Sequence, residues 1–291
     1  MEPDDDDAPE PNYRELVNDG PTELHDIRRR LTWAYQDGLT LSRRITAFTK
    51  SDPHGMLIEF DGDKWHVKFQ RRIKEEEEWQ EYEILARLFG SFLDNNRAAL
   101  NYLAVELAKL AIVKDPTLAT GPWKDRLRPE KIEFPIFNAK PKFFDEGEAK
   151  IRRLPKTYRD AIKAEQPFIN DDNKGLWDLH ILSAEFRHRV IHPIAVLPHK
   201  HLFRVLMDDE PVKTTDLRIL VGDDPVKHDQ EVMEFRTPNI SEDRYDDVKP
   251  SITISVGFDH PLCRGRDSIA VINRMGNNVG SVIERFVKFF D

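Results

Sequence analysis

The sequence predicts an α+β fold: an antiparallel helical bundle with an inserted β-hairpin, followed by a mainly antiparallel β half and a C-terminal helix. Three observations carry this expectation. Apolar residues recur at three- and four-residue spacing between Thr22 and Ile191, the period of an amphipathic helix. Between Phe203 and Phe258 they recur every second residue, the period of a half-buried strand. Inside the helical part, Asp61-Gly62 lies between two alternating segments, a strong short-range hairpin signal.

The first 20 residues are expected to be a disordered acidic tail. Glu2, Asp4, Asp5, Asp6, Asp7 and Glu10 supply six of the nine net negative charges, and a solvated block of like charge cannot bury apolar surface. The rest of the chain is close to neutral. Its 39% hydrophobic and 10% aromatic content suffices for a packed core. Residues 21–193 are expected to form a helical domain with a hairpin at 56–70, and residues 194–291 an antiparallel sheet with a terminal helix.

Pro21-Thr22 opens the first helix, whose narrow apolar seam is Leu24, Ile27, Leu31, Ala34, Gly38, Leu41, Ile45 and Phe48. Such a seam suits a partner helix, so a homodimer is expected. In the hairpin, Trp65, Val67 and Phe69 share one face. A long helix then runs from about Glu75 to Val113, with Trp79, Tyr82, Leu85, Phe89, Phe92, Leu100, Leu103, Leu107 and Leu110 on its apolar side. From Lys114 to Pro141 periodicity disappears except in the extended Phe134-Pro-Ile-Phe137. Pro155 is placed at the first position of a short helix, and a further helix is expected from Lys174 to Ile191, stopped by Pro193. Phe203 to Met207, Leu217 to Val221, Val232 to Phe235 and Ile252 to Phe258 read as strands of one sheet, and Asn277 to Phe290 as the last helix, with Gly276-Asn-Asn-Val-Gly280 at its start.

No apolar run approaches the roughly 20 residues of a membrane span, and no basic and apolar leader opens the chain, so a cytoplasmic protein without membrane contact is expected. Cys263 is the only cysteine, which excludes an intrachain disulfide and any site built from several thiolates. It sits in a turn-like segment and reads as structural. Phosphate-binding Gly-rich loops, Gly-x-Ser-x-Gly elbows and His-Glu-x-x-His are absent from the sequence, and no cofactor is expected.

Two polar constellations fall on the predicted helices. In the first, Arg97 aligns with Leu93, Leu100 and Ala104, flanked by Asn96, Asn101 and Tyr102. A guanidinium in an apolar row needs a carboxylate or carbonyl partner, so this polar cluster reads as an interhelical clamp. The partner is expected on the helix around Glu185 and His188. In the second, Glu185, His188 and His192 have the helical spacing of metal ligands. The set is incomplete, and a His-x-x-x-His pair arises by chance roughly 0.3 times in such a chain.

The segment Arg187-His-Arg-Val-Ile-His192 also resembles the Arg-x4-His ribonuclease motif of the helical HEPN superfamily. That resemblance implies phosphate stabilisation by Arg and proton transfer by His. An Arg-x4-His match arises by chance roughly 0.9 times here.

Gly90, Leu93, Asn95, Arg97, Ala99 and Leu100, then Phe134-Pro-Ile136, Gln166-Pro-Phe168, Leu176-Trp177 with Leu179, and His188-Arg189 resemble, in order and spacing, a widespread bacterial family of uncharacterised proteins. Its helix typically reads Gly-Asp-x-Leu-His-Asn-Leu-Arg-Ser-Ala-Leu-Asp-His. The resemblance covers about residues 22–192 and implies an architecture without an activity. This chain departs from the pattern at Asp94, Asn101 and Tyr102, where the family has His, Asp and His, and at Phe186 and Arg187, where it has Asp and Lys. The expected function is therefore a non-catalytic binding or assembly protein, with a protein partner or a second copy of itself. The alternative is an RNA-directed nuclease using Arg187 and His192, or Arg97 with His188.

Overall fold

The computed structural model describes residues 21–119, 132–152, 154–196, 204–207, 210–211, 213–221, 226–237, 248–251, 255–263 and 266–291. The expected acidic tail, and parts of the segments around Phe203 and Ile252–Ile254, lie outside these residues. After a 3₁₀ turn at Thr22–Leu24, α1 spans His25–Lys50, and strands β1 (His54–Phe60) and β2 (Trp65–Arg71) form the hairpin. Helix α2 covers Glu75–Lys114, α3 Lys156–Ala164, α4 Lys174–Phe186 and α5 Ser268–Val287. The remaining strands are β3 (Pro193–Val196), β4 (Arg204–Met207), β5 (Glu210–Pro211), β6 (Thr215–Ile219), β7 (Glu231–Arg236), β8 (Val248–Ser251) and β9 (Ser255–Phe258). The α+β class expected from the sequence is present.

The chain divides into two compact units that interleave along the sequence, whereas the sequence suggested two consecutive stretches. One holds the described residues up to Asp37, with Ser91–Ser183 and Met275–Asp291. The other holds Gly38–Gly90 and Ala184–Arg274.

The first unit is helical. Its core includes Leu100, Leu103, Leu107, Phe134, Ile162, Leu176, Leu179, Val282 and Phe286. The extended segment around Phe134 carries backbone groups that no strand partner satisfies, and side chains do so instead. Asn101 accepts from Phe134 N–H at 3.1 Å, Gln166 Oε1 accepts from Phe137 N–H at 3.0 Å, and Gln166 Nε2 donates to Pro135 C=O at 2.8 Å. Buried backbone groups demand such partners, and in this chain the amides of Asn101 and Gln166 supply them. Arg285 closes a second polar knot, donating through Nε and Nη2 to the Glu165 carboxylate at 2.8 and 2.6 Å.

In the second unit the strand order is β1-β2-β7-β6, all antiparallel. Asp61 shapes the hairpin turn: its Oδ1 accepts from the N–H groups of Asp63 and Lys64, both at 2.8 Å, and Gly62 takes a φ of 97°. Trp65, Val67 and Phe69 do share a buried face, and they pack with Val232, Met233 and Phe235 of β7. That apolar face is why the hairpin recruits β7. Consequently the strands expected to make one sheet fall, among the described residues, into three: this one, β3-β9 and β5-β4-β8. Strand β6 is an edge with Leu217 and Ile219 exposed.

Four boundaries differ from expectation. Helix α4 ends at Phe186, and residues 187–192 form a turn and an extended link. The chain must become extended ahead of Pro193, because β3 pairs with β9 from Pro193↔Phe258 onward and His192 C=O accepts from Asp259 N–H at 2.8 Å. Helix α5 begins nine residues earlier than expected, capped by Asp267, whose carboxylate accepts from Ala270 N–H at 2.9 Å. Gly276 and Gly280 are therefore interior. Pro155 caps α3 instead of occupying its first turn. Finally, an irregular helical segment, Lys140–Lys142, Phe143–Gly147 and Glu148–Ile151, occupies a stretch for which no element was expected, its π-turn breaking the 3.6-residue repeat.

The α1 seam also has a different use. Leu24, Ile27, Ala34, Leu41, Ile45 and Phe48 are all buried within the chain, so the seam offers no surface for a partner helix. Among the described residues, no helix is long and apolar enough to cross a membrane.

Candidate functional site

The second unit contains a cleft of about 270 Å³ lined by Phe69, Arg71, Glu75, Glu78, Trp79, Tyr82, His192, Pro193, Ile194, Val226 and Asp259. Each contributor follows from local structure. Alternation along β2 presents Phe69 and Arg71 on one face. Helical spacing of three and four aligns Glu75, Glu78, Trp79 and Tyr82 at the start of α2. The β3–β9 pairing then brings His192, Pro193 and Ile194 beside Asp259.

Glu78 is the hub. Its carboxylate is buried, hydrogen-bonded to His54 Nε2 at 2.8 Å and ion-paired with Arg71 Nε at 2.7 Å. Arg71 also reaches Glu75 at 3.5 Å. Burial alone pushes the Glu78 pKa up, but the hydrogen bond from His54 and the Arg71 charge more than offset it, so the net shift is downward. The carboxylate is held ionised.

Tyr82 is buried at 7% exposure, and its ring packs edge-on against Phe48 at 5.7 Å. Burial first, and then the Glu78 charge, raises its pKa, so the phenol stays protonated. Its hydroxyl lies near Glu78 without closing a hydrogen bond of good geometry, and the buried His192 Nδ1 likewise has no hydrogen-bond partner. Unsatisfied buried polar atoms cost about 1–3 kcal/mol each, and these two, unlike the ion-paired Arg71 Nε, have no ion-pair partner among the described residues although their residues line one cavity. His192 meets Trp79 edge to face, ring centroids 5.5 Å apart at 84°. Trp79, expected in the core, is 48% exposed.

The residues singled out from sequence are distributed as follows. Asn96 and Arg97 are buried, with Asn96 Nδ2 donating to Phe92 C=O at 2.9 Å. Asn101 serves the Phe134 backbone, and Tyr102 is exposed with Arg30 over its ring at 5.5 Å. Asn95, next to this cluster, accepts from Arg30 at 3.0 Å and donates to Asp37 at 3.0 Å. Asn95, Asn101 and Tyr102 thus reach Arg30, Asp37 and the Phe134 segment, while Asn96 bonds within its own helix.

Glu185 accepts from Arg189 at 2.8 Å and faces the buried His260 at 3.0 Å. Arg187 and His188 are exposed on the turn after α4. With the helix ended at Phe186, Arg187, His188 and His192 lose the common helical face on which both the metal and the nuclease readings depended. Among the described residues, one trio of potential metal ligands has donor atoms within 4.8 Å of one another, and it is His66, Glu231 and Glu234. That trio is already neutralised, since Glu234 pairs with Lys64 at 3.2 Å and with Arg218 at 3.3 Å.

Sequence reasoning found His192 and missed the rest of the cleft. One signal was available: Glu78 and Tyr82 are four apart on the helix's apolar side, where a carboxylate demands partners.

No protein-family model, curated protein or solved structure matches this chain.

Proposed function

We propose that the protein is a non-catalytic binding protein whose ligand is a small molecule held in the cleft between β2, the start of α2 and the 192–194 link. The observation that carries this is the pair of unsatisfied buried polar atoms, Tyr82 Oη and His192 Nδ1, on residues lining the same cavity. Pockets with an apolar lining and a few convergent polar groups are the usual form of small-molecule sites. Glu78 is bound on both sides by His54 and Arg71, which suits it to holding the wall in shape better than to moving a proton. The nuclease alternative finds less support. The cleft carries Glu75, Glu78 and Asp259 against the single guanidinium of Arg71, a charge balance that repels phosphate, and the Arg-x4-His spacing lies off the helix.

A fragment library screened by thermal shift tests this reading. Stabilising hits are expected for the wild type, and Tyr82→Phe should lose most of them while folding normally. A screen without hits, or hits wholly indifferent to Tyr82→Phe, contradicts it.

A further inference from the structure

We infer that the ligand of this cleft is a small primary amine with an apolar, aromatic body; the inference rests on the reading of the cleft as a binding site. The charge of the lining selects a cation. Three carboxylates line the cavity against one guanidinium, and Arg71 is already engaged by both Glu75 and Glu78. Asp259 is left over: its carboxylate is exposed and makes no hydrogen bond or ion pair among the described residues. The Asp259 backbone is anchored, since its N–H donates to His192 C=O at 2.8 Å directly after the β9 pairing. An unpaired carboxylate on an anchored backbone at a cleft attracts a cation.

The indole of Trp79 favours the same ligand. It stands nearly half exposed, held edge to face against His192, and tryptophan is the best side-chain partner for an ammonium group. Asp259 and Trp79 thus flank the same histidine and offer an ammonium group both a counter-charge and a π face. The remaining wall, Phe69, Ile194 and Val226, takes an apolar body. A buried hydroxyl stands beside Glu78 in the same cavity. Tyr82, more than nine-tenths buried, lines this cavity with its hydroxyl unsatisfied, which supplies a hydrogen-bonding site at depth for a polar atom on the ligand. An anion meets three carboxylates here, and a neutral molecule leaves Asp259 unused.

The test is calorimetric titration of the full chain at pH 7 with three isosteric probes, phenethylamine, 2-phenylethanol and phenylacetate. The amine should bind at least about tenfold more tightly than the alcohol, with phenylacetate weakest. Asp259→Asn should remove most of the amine's advantage and leave the alcohol unchanged, and Trp79→Leu should weaken the amine more than the alcohol. Equal binding of amine and alcohol, or an amine affinity indifferent to Asp259→Asn, overturns the amine and leaves the cleft as a binding site. Absence of binding by all three probes, with the protein shown to be folded, overturns the cleft reading as well.

Discussion

Replacing Glu78 by Gln keeps the shape of the side chain and removes its charge, so it isolates what holds the cleft wall. The carboxylate has 8% side-chain exposure, His54 4% and Arg71 31%. Breaking a fully buried pair costs roughly 3–5 kcal/mol. Arg71 is partly solvated and Gln keeps one acceptor, which reduces the expected loss to about 2–3 kcal/mol. At a urea dependence of about 3 kcal/mol per M for a chain of this size, the midpoint should fall by about 1 M at pH 7, read by tryptophan fluorescence. The sign with pH is fixed by the direction of the shift. The folded pKa of Glu78 lies below the ordinary glutamate value of 4.5, so its stabilisation is complete above about pH 4.5 and is lost as pH falls through the folded value. The gap between wild type and Glu78→Gln should therefore close in acid. An unchanged midpoint at pH 7, or a gap that persists in acid, refutes the assignment of Glu78 as the hub.

Other consequences follow from single contacts. At Gly90 an added Cβ would stand 2.1 Å from Phe186 Cε1, so Gly90→Ala should destabilise by about 1 kcal/mol, the overpacking cost of roughly 1–3 kcal/mol exceeding alanine's helix advantage of about 1 kcal/mol. In a Phe186→Leu background the same change should become neutral or stabilising in urea melts. Burial pushes the Cys263 thiol up to about 12, so Ellman's reagent should react with it only on unfolding. The pKa of His66 is raised, first by its hydrogen bond to Glu231 and then by that to Asp61. Its contribution to stability is present below the unfolded value near 6.5 and is lost as pH rises through the folded value, so His66→Gln should flatten the decline in stability above neutrality.

How much of this was legible in the sequence depended on whether neighbours along the chain decided the outcome. The hairpin was, because Asp61 makes its own turn and alternation puts Trp65, Val67 and Phe69 on one face. Helix α2 was, because forty residues of sustained period leave little ambiguity. The end of α4 was not: nothing local breaks the helix at Phe186, and the cause is the pairing of β3 with a strand more than sixty residues away in sequence. The start of α5 was obscured by Gly276, which reads as a helix boundary and sits in the interior. The cleft draws on β2, α2, the 192–194 link, Val226 and Asp259, five separated pieces of sequence. Only His192 carried a motif, and the motif suggested the wrong neighbours.

The most direct test of the account follows the five tryptophan indole N–H signals by two-dimensional NMR during a phenethylamine titration, with Trp79 assigned from Trp79→Phe. Trp79 should shift progressively to saturation while the exposed Trp33 stays in place. Shifts at Trp33 without Trp79, or none at all, contradict the cleft as the binding site.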